Sequence, residues 1–116
     1  MRKLKLKIKD EEYILEYNRD SIKWLESVGF DIEQLTIKPL TYREMLWQSL
    51  FVKNYGNTVN PKLALKLMDT YTEEHGAKMT AKVVKFALDE YTAFFNALAD
   101  TNSEKTEEEE LEIIEQ

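Results

Sequence analysis

Apolar and polar positions alternate with a period of two at the start of the chain and with a helical period after it. Leu4, Leu6 and Ile8 fall on one side of a segment whose other side is Lys3, Lys5, Lys7 and Lys9. Asp10-Glu11-Glu12 breaks the pattern, and Tyr13, Leu15 and Tyr17 resume it. Two such runs across a polar break predict a β-hairpin with one buried face and one wet face. The lysine stripe then reads as a solvated strand face that also guards a sheet edge. Asn18-Arg19-Asp20-Ser21 opens a helix over residues 20–28 that carries Ile22, Trp24, Leu25 and Val28, and Gly29 closes it. Phe30, Ile32 and Leu35 follow as apolar plugs in a connection that runs to Pro39.

Three further helices follow. Thr41 and Glu44 have the spacing of a capping box and predict a helix over 41–55 stopped by Gly56. Asn60-Pro61 supplies a cap and a first-turn proline for the next, which carries Leu63, Ala64, Leu67, Met68 and Tyr71 up to Gly76. A last helix over 80–99 has Val84, Leu88, Tyr91, Phe95 and Leu98 along one stripe, with Phe86 and Phe94 beside it. On the 41–55 helix, Met45, Leu46 and Leu50 can face inward, and Trp47, Phe51 and Tyr55 form a second row roughly 100° around. A helix apolar on two sides is buried on two sides. Either it lies in the middle of the bundle or it carries an oligomer interface, and the pattern leaves both open.

The predicted fold is therefore α+β and helix-dominated: an N-terminal β-hairpin followed by about four α-helices. Residues 1–99 make a single compact domain, a size that supports one modest core. The net charge of −6 is unevenly placed, since residues 100–116 carry −7 and residues 1–99 carry +1. That segment is predicted to be a disordered acidic tail. Leu111, Ile113 and Ile114 are its exception and suit a short docking motif. A nearly neutral body lacks the concentrated basic face that nucleic-acid binding needs, which leaves a regulator acting through the lysine-striped strand as the weakest of the readings.

Candidate chemistry is sparse. The chain has no cysteine and one histidine, His75, at a predicted helix end where the dipole favours it. A metal site would need further ligands at metal-binding spacing. Its three glycines, 29, 56 and 76, each stand behind a helix, so there is no phosphate-binding loop. The acidic pairs Glu11/Glu12 and Asp89/Glu90 read as solvated surface, without the contrasting environments of a catalytic pair. No catalytic residue, metal or cofactor is expected. Lysines interrupt the N-terminus at every second position, so it is no signal peptide, and no apolar run approaches a membrane span. The expectation is a soluble protein of the cytoplasm with no membrane partner.

Residues 13–31, from Tyr13-Ile14-Leu15-Glu16-Tyr17 through Asn18-Arg19-Asp20-Ser21 and Trp24-Leu25-Glu26 to Gly29-Phe30-Asp31, resemble a family of small phage and prophage proteins. These belong to tail-gene modules of Gram-positive hosts, and several look like tail assembly chaperones. Lys38-Pro39-Leu40 ahead of the next helix also fits, and the specific match covers residues 5–52. The resemblance implies a binding protein of the host cytoplasm that keeps the tape measure protein soluble and recruits tail tube protein, with homo-oligomers possible. Trp47, Phe51 and Tyr55 are then the expected partner-facing or self-associating row, with Phe94 and Phe95 second. The alternative is a structural virion component such as a connector or tail completion protein.

Overall fold

The structure, a computed structural model, describes residues 2–98 and 112–115. Its order is β1 (Arg2–Ile8), β2 (Glu11–Glu16), α1 (Arg19–Ser27), a 3-10 turn (Ile32–Thr36), α2 (Pro39–Ser49), α3 (Val52–Tyr55), α4 (Pro61–His75), α5 (Ala77–Leu98) and β3 (Glu112–Glu115). This is the predicted N-terminal hairpin followed by a helical body. Among the described residues, no helix is long and apolar enough to cross a membrane.

The hairpin turn sits one residue earlier than its sequence suggests. Ile8 pairs with Glu11, and the two loop residues Lys9 and Asp10 both have positive φ, 51° and 67°. Two left-handed residues give the primed turn whose twist matches the flanking strands. Lysine and aspartate hold it because the end of α4 clamps the loop. Both Glu74 carboxylate oxygens accept from the Lys9 amide at 3.1 Å, and His75 Nε2 lies 3.2 Å from the Lys7 carbonyl oxygen.

Nor is β1 an edge strand. The sheet order is β2-β1-β3, with both pairings antiparallel. Within the segment expected to be a disordered acidic tail, residues 112–115 are described as this third strand, and residues 100–111 and 116 lie outside the described residues. The far edge of β2 is covered by α3. Ile14 turns its backbone away from β1; its amide donates to Tyr55 Oη at 2.8 Å, and its carbonyl accepts from Asn54 Nδ2 at 2.8 Å. Beside them Lys53 Nζ meets Glu16 Oε1 at 2.5 Å. That hydrogen bond, more than any other influence, holds the Glu16 carboxyl below its ordinary range, against the opposing effect of its burial.

Two helix boundaries also differ. The second helix starts at Pro39, not at Thr41, because proline's fixed φ and missing amide suit the first helical position. Thr41 and Glu44 consequently lie inside α2, and its cap residue Lys38 makes no side-chain cap. The single helix expected to reach Tyr55 is broken at Leu50 and Phe51, whose amides donate to Trp47 and Gln48 three residues back, each at 3.1 Å. At the break Ser49 Oγ donates to the Leu46 carbonyl at 2.6 Å and hydrogen-bonds the buried Tyr17 hydroxyl. Burial pushes the Tyr17 phenol far above its usual pKa, so it stays a neutral donor. The caps of α1 and α4 follow the sequence. Asn18 and Ser21 form a reciprocal capping box, and Asn60 Oδ1 accepts from the Leu63 amide at 2.8 Å.

The core lies between the apolar face of the hairpin and the helices. It holds Leu4, Leu6, Ile8 and Leu15 from the sheet, Ile22 and Leu25 from α1, Leu46, Trp47, Leu50 and Phe51 around the α2–α3 break, and Val83, Phe86 and Ala87 from α5. The first strand is tied to α5 at its other end, where Arg2 meets Glu90 at 2.9 Å and lies over the Phe86 ring at 4.9 Å.

Candidate protein-binding surface

The row Trp47, Phe51 and Tyr55 is not a surface, and the expectation that it faces a partner is corrected. Trp47 and Phe51 are fully buried. Trp47 lies between α2 and α4: its ring centroid is 5.7 Å from that of Tyr71, and its Nε1 donates to the Ala64 carbonyl at 2.7 Å. Phe51 stands 5.8 Å from both Trp47 and Tyr13. Tyr55 is half-buried, edge-on to Tyr13 at 5.4 Å, with its hydroxyl held by β2. The two apolar sides of this helical segment are thus taken up by α4 on one side and the hairpin on the other. Of the two alternatives left open by its pattern, the middle of the bundle is the one realised.

The exposed apolar surface lies elsewhere. Helix α1 ends in a left-handed Gly29, φ 83°, with the Gly29 amide donating to Glu26 at 3.1 Å and the Phe30 amide to Leu25 at 2.9 Å. These are the paired bonds of a Schellman motif, and they turn the chain so that the residue after the glycine packs back on the helix. That residue is Phe30. Its ring lies 5.7 Å from Tyr42 on α2 and 5.1 Å, edge-on, from Tyr91 on α5. Tyr91 meets Phe95 at 4.9 Å, and Phe95 meets Phe94 at 5.4 Å. A chain of five rings thus joins the α1–α2 connection to the second half of α5. Edge-on aromatic pairs of this kind add about 0.5–1.5 kcal/mol each beyond their buried area, enough to fix the connection in place.

Around this anchor the connection exposes aliphatic side chains. Ile37 is 66% and Leu40 69% exposed, and Val28, Ile32 and Phe95 are also open to solvent. A single exposed leucine needs no explanation. Four exposed aliphatics between the end of α1 and the first turn of α2, on a connection that Phe30 ties through Tyr91 to Phe95, are the kind of feature that marks a protein-interaction site. Charged residues Glu26, Asp31, Glu33 and Lys38 alternate with these aliphatics along the chain, and burial first, and then Glu26 and Asp31, raise the pKa of Tyr91. Asp31 also caps the 3-10 turn, its Oδ1 accepting from the Glu33 amide at 3.0 Å. Apolar side chains interleaved with charged ones fit the mixed polarity of a transient protein interface.

Of the five residues expected to meet a partner, then, Phe95 is exposed at this surface, Phe94 is half-buried beside it, and Trp47, Phe51 and Tyr55 are packed inside. The pattern missed Tyr42, Ile37 and Leu40. Leu40 stands six residues before the buried Leu46, about 120° off its line on an ideal helix, which is the signal that Leu40 leaves the core face. Among the described residues, no three His, Cys, Asp or Glu side chains are grouped to hold a metal ion.

Residues 1–112 match the model of the family described as a domain of unknown function (DUF5055), and the chain belongs to that family. No curated protein and no solved structure matches it.

Proposed function

We propose that this member of the DUF5055 family is a non-enzymatic tail assembly chaperone-like protein, binding tape measure and tail tube proteins during phage tail morphogenesis in the host cytoplasm. The observation that supports it best is the exposed apolar surface of the α1–α2 connection, held on a rigid aromatic anchor. A chaperone for long apolar helical segments needs such a surface. An amphipathic client helix presents anchors at i, i+3, i+4 and i+7, and a preordered apolar strip takes them without an ordering cost of its own. Ile37 and Leu40 are the central contacts in this reading, and Phe95 extends the strip onto α5.

The test is co-expression with the tape measure protein of the same gene cluster, followed by pull-down and light scattering. A soluble complex that the double substitution Ile37→Asp/Leu40→Asp abolishes supports the reading. A complex unaffected by that substitution removes this surface from it. No complex at all, with the chain alone forming a closed ring, points instead to a structural part of the virion.

A further inference from the structure

The middle strand β1 carries the basic stripe, and its second edge is filled by the chain's own C-terminal strand. Ile14 is opposite Lys5 and spends its amide and carbonyl on Tyr55 and Asn54, so the two form a non-hydrogen-bonded pair. In an antiparallel ladder the odd-numbered residues of β1 then turn their backbone groups toward the other edge. There β3 stands antiparallel, with Glu115 opposite Arg2, Ile114 opposite Lys3, Ile113 opposite Leu4 and Glu112 opposite Lys5. The next residue in that set, Lys7, has its carbonyl 3.2 Å from His75 Nε2. The strand-accepting stretch therefore stops after Lys5.

We propose that this stretch is an exchangeable strand-addition site, and that its second occupant is the 112–115 segment of another copy of the chain, giving a strand-swapped dimer. Three observations carry this. The sequence Glu-Ile-Ile-Glu meets Arg-Lys-Leu-Lys in a register that sets acid opposite base at both ends, and opposite charges across a strand pair favour pairing. The contact is only four residues long, so few ladder hydrogen bonds have to be released for the strand to leave. Residues 99–111 separate β3 from α5, a length of chain that spans at most about 45 Å when extended. That is comparable with the 40 Å longest dimension of the molecule, so the segment can reach a neighbouring copy. The swapped contact is the same contact, and exchange of an identical element is a low-cost route to a dimer. The connection favours the intramolecular form through an effective concentration in the ~mM range, so the dimer is a concentrated-solution species.

Because the chain has no cysteine, the pairing can be trapped. Opposed residues in an antiparallel ladder stand about 4.5–5.5 Å apart at Cα, within disulfide range. Full-length Lys5→Cys and Glu112→Cys proteins, one carrying a mass tag, are mixed near the millimolar range and oxidised. Lys5→Cys/Glu112→Cys in one chain is oxidised at high dilution as the intramolecular control. The expected result is an intramolecular disulfide in the control and a covalent heterodimer in the mixture. Adding Ile114→Pro to the Glu112→Cys chain removes a ladder amide and should lower the heterodimer about tenfold. An intramolecular disulfide without a heterodimer overturns the exchange. A heterodimer indifferent to Ile114→Pro, or no disulfide in either arm, overturns the pairing itself.

Discussion

Truncating Trp47 to alanine separates the two roles that its sequence position allowed. The side chain is fully buried, packed 5.8 Å from Phe51 and 5.7 Å from Tyr71 by ring centroids, with Nε1 donating to the Ala64 carbonyl at 2.7 Å. Emptying an aromatic site in a packed core costs about 3–5 kcal/mol, the lost indole hydrogen bond and ring contacts included. Domains of this kind are held by about 5–15 kcal/mol in all. Urea unfolding followed by far-UV circular dichroism is the suitable assay, since it does not depend on the tryptophan removed. With a slope of roughly 1–3 kcal/mol per molar, the midpoint should fall by about 2 M. Trp47→Phe keeps most of the apolar volume and loses the bond to Ala64, so its cost should be about 1–2 kcal/mol. The reasoning is refuted if Trp47→Ala costs under ~1 kcal/mol while abolishing partner binding, for that is the behaviour of an interface hot spot.

Other substitutions probe the surface, the helix end and the buried carboxylate. Ile37→Asp/Leu40→Asp should leave stability within about 0.5 kcal/mol of the parent in the same urea assay, because both side chains are open to solvent. Gly29→Ala should cost about 1–2 kcal/mol through its left-handed backbone alone, since an added Cβ meets nothing within 4 Å; Gly29→Asn should recover part of this, and equal losses for both would contradict the backbone account. Asn18→Ala removes the acceptor of the Asp20 and Ser21 amides, at 3.0 and 3.2 Å, and should cost about 1 kcal/mol in thermal or urea unfolding. Glu16 has a lowered folded pKa, so its contribution is complete above the unfolded carboxylate pKa and is lost as pH falls through the folded value. Glu16→Gln should therefore flatten the stability profile on its acid side, an effect kept small by the partial exposure of Lys53.

How much was legible varied with the range of the interaction. Local signals gave the hairpin, the caps at Asn18 and Asn60, and the stops at Gly29 and Gly76, because each depends on a residue's own backbone preference or on a partner three residues away. Signals overridden by tertiary contact misled. The Lys9-Asp10 turn relies on Glu74, sixty-five residues away. The break after Ser49 coincides with a hydrogen bond to Tyr17 across thirty-two residues of chain. The candidate surface was missed for a related reason. Hydrophobic periodicity says which residues share a face, and Trp47, Phe51 and Tyr55 do share one. It does not say whether that face meets another part of the same chain. Here Tyr71, Tyr13 and Ile14 cover it.

The same contacts bear on the basic stripe. A lysine face on a free edge strand would offer charge to nucleic acid and backbone groups to any extended chain. In this fold neither is simply on offer. Lys3 and Lys7 stand opposite Glu16 and Glu12 on β2, Lys5 Nζ lies 3.8 Å from Glu12 Oε2, and β3 places Glu112 and Glu115 opposite Lys5 and Arg2. The stripe thus meets acidic positions at Lys3 and Lys7 on β2 and at Lys5 on β3, where Lys3 stands opposite Ile114, and opposed charges in a sheet contribute to pairing, about 0.2–1 kcal/mol for each pair. The outer edge of β2 is meanwhile held by Tyr55 and Asn54. With the sheet matched in this way, Ile37 and Leu40 are the most exposed large hydrophobic side chains of the described residues, which is why the partner-binding test belongs there rather than on the strands.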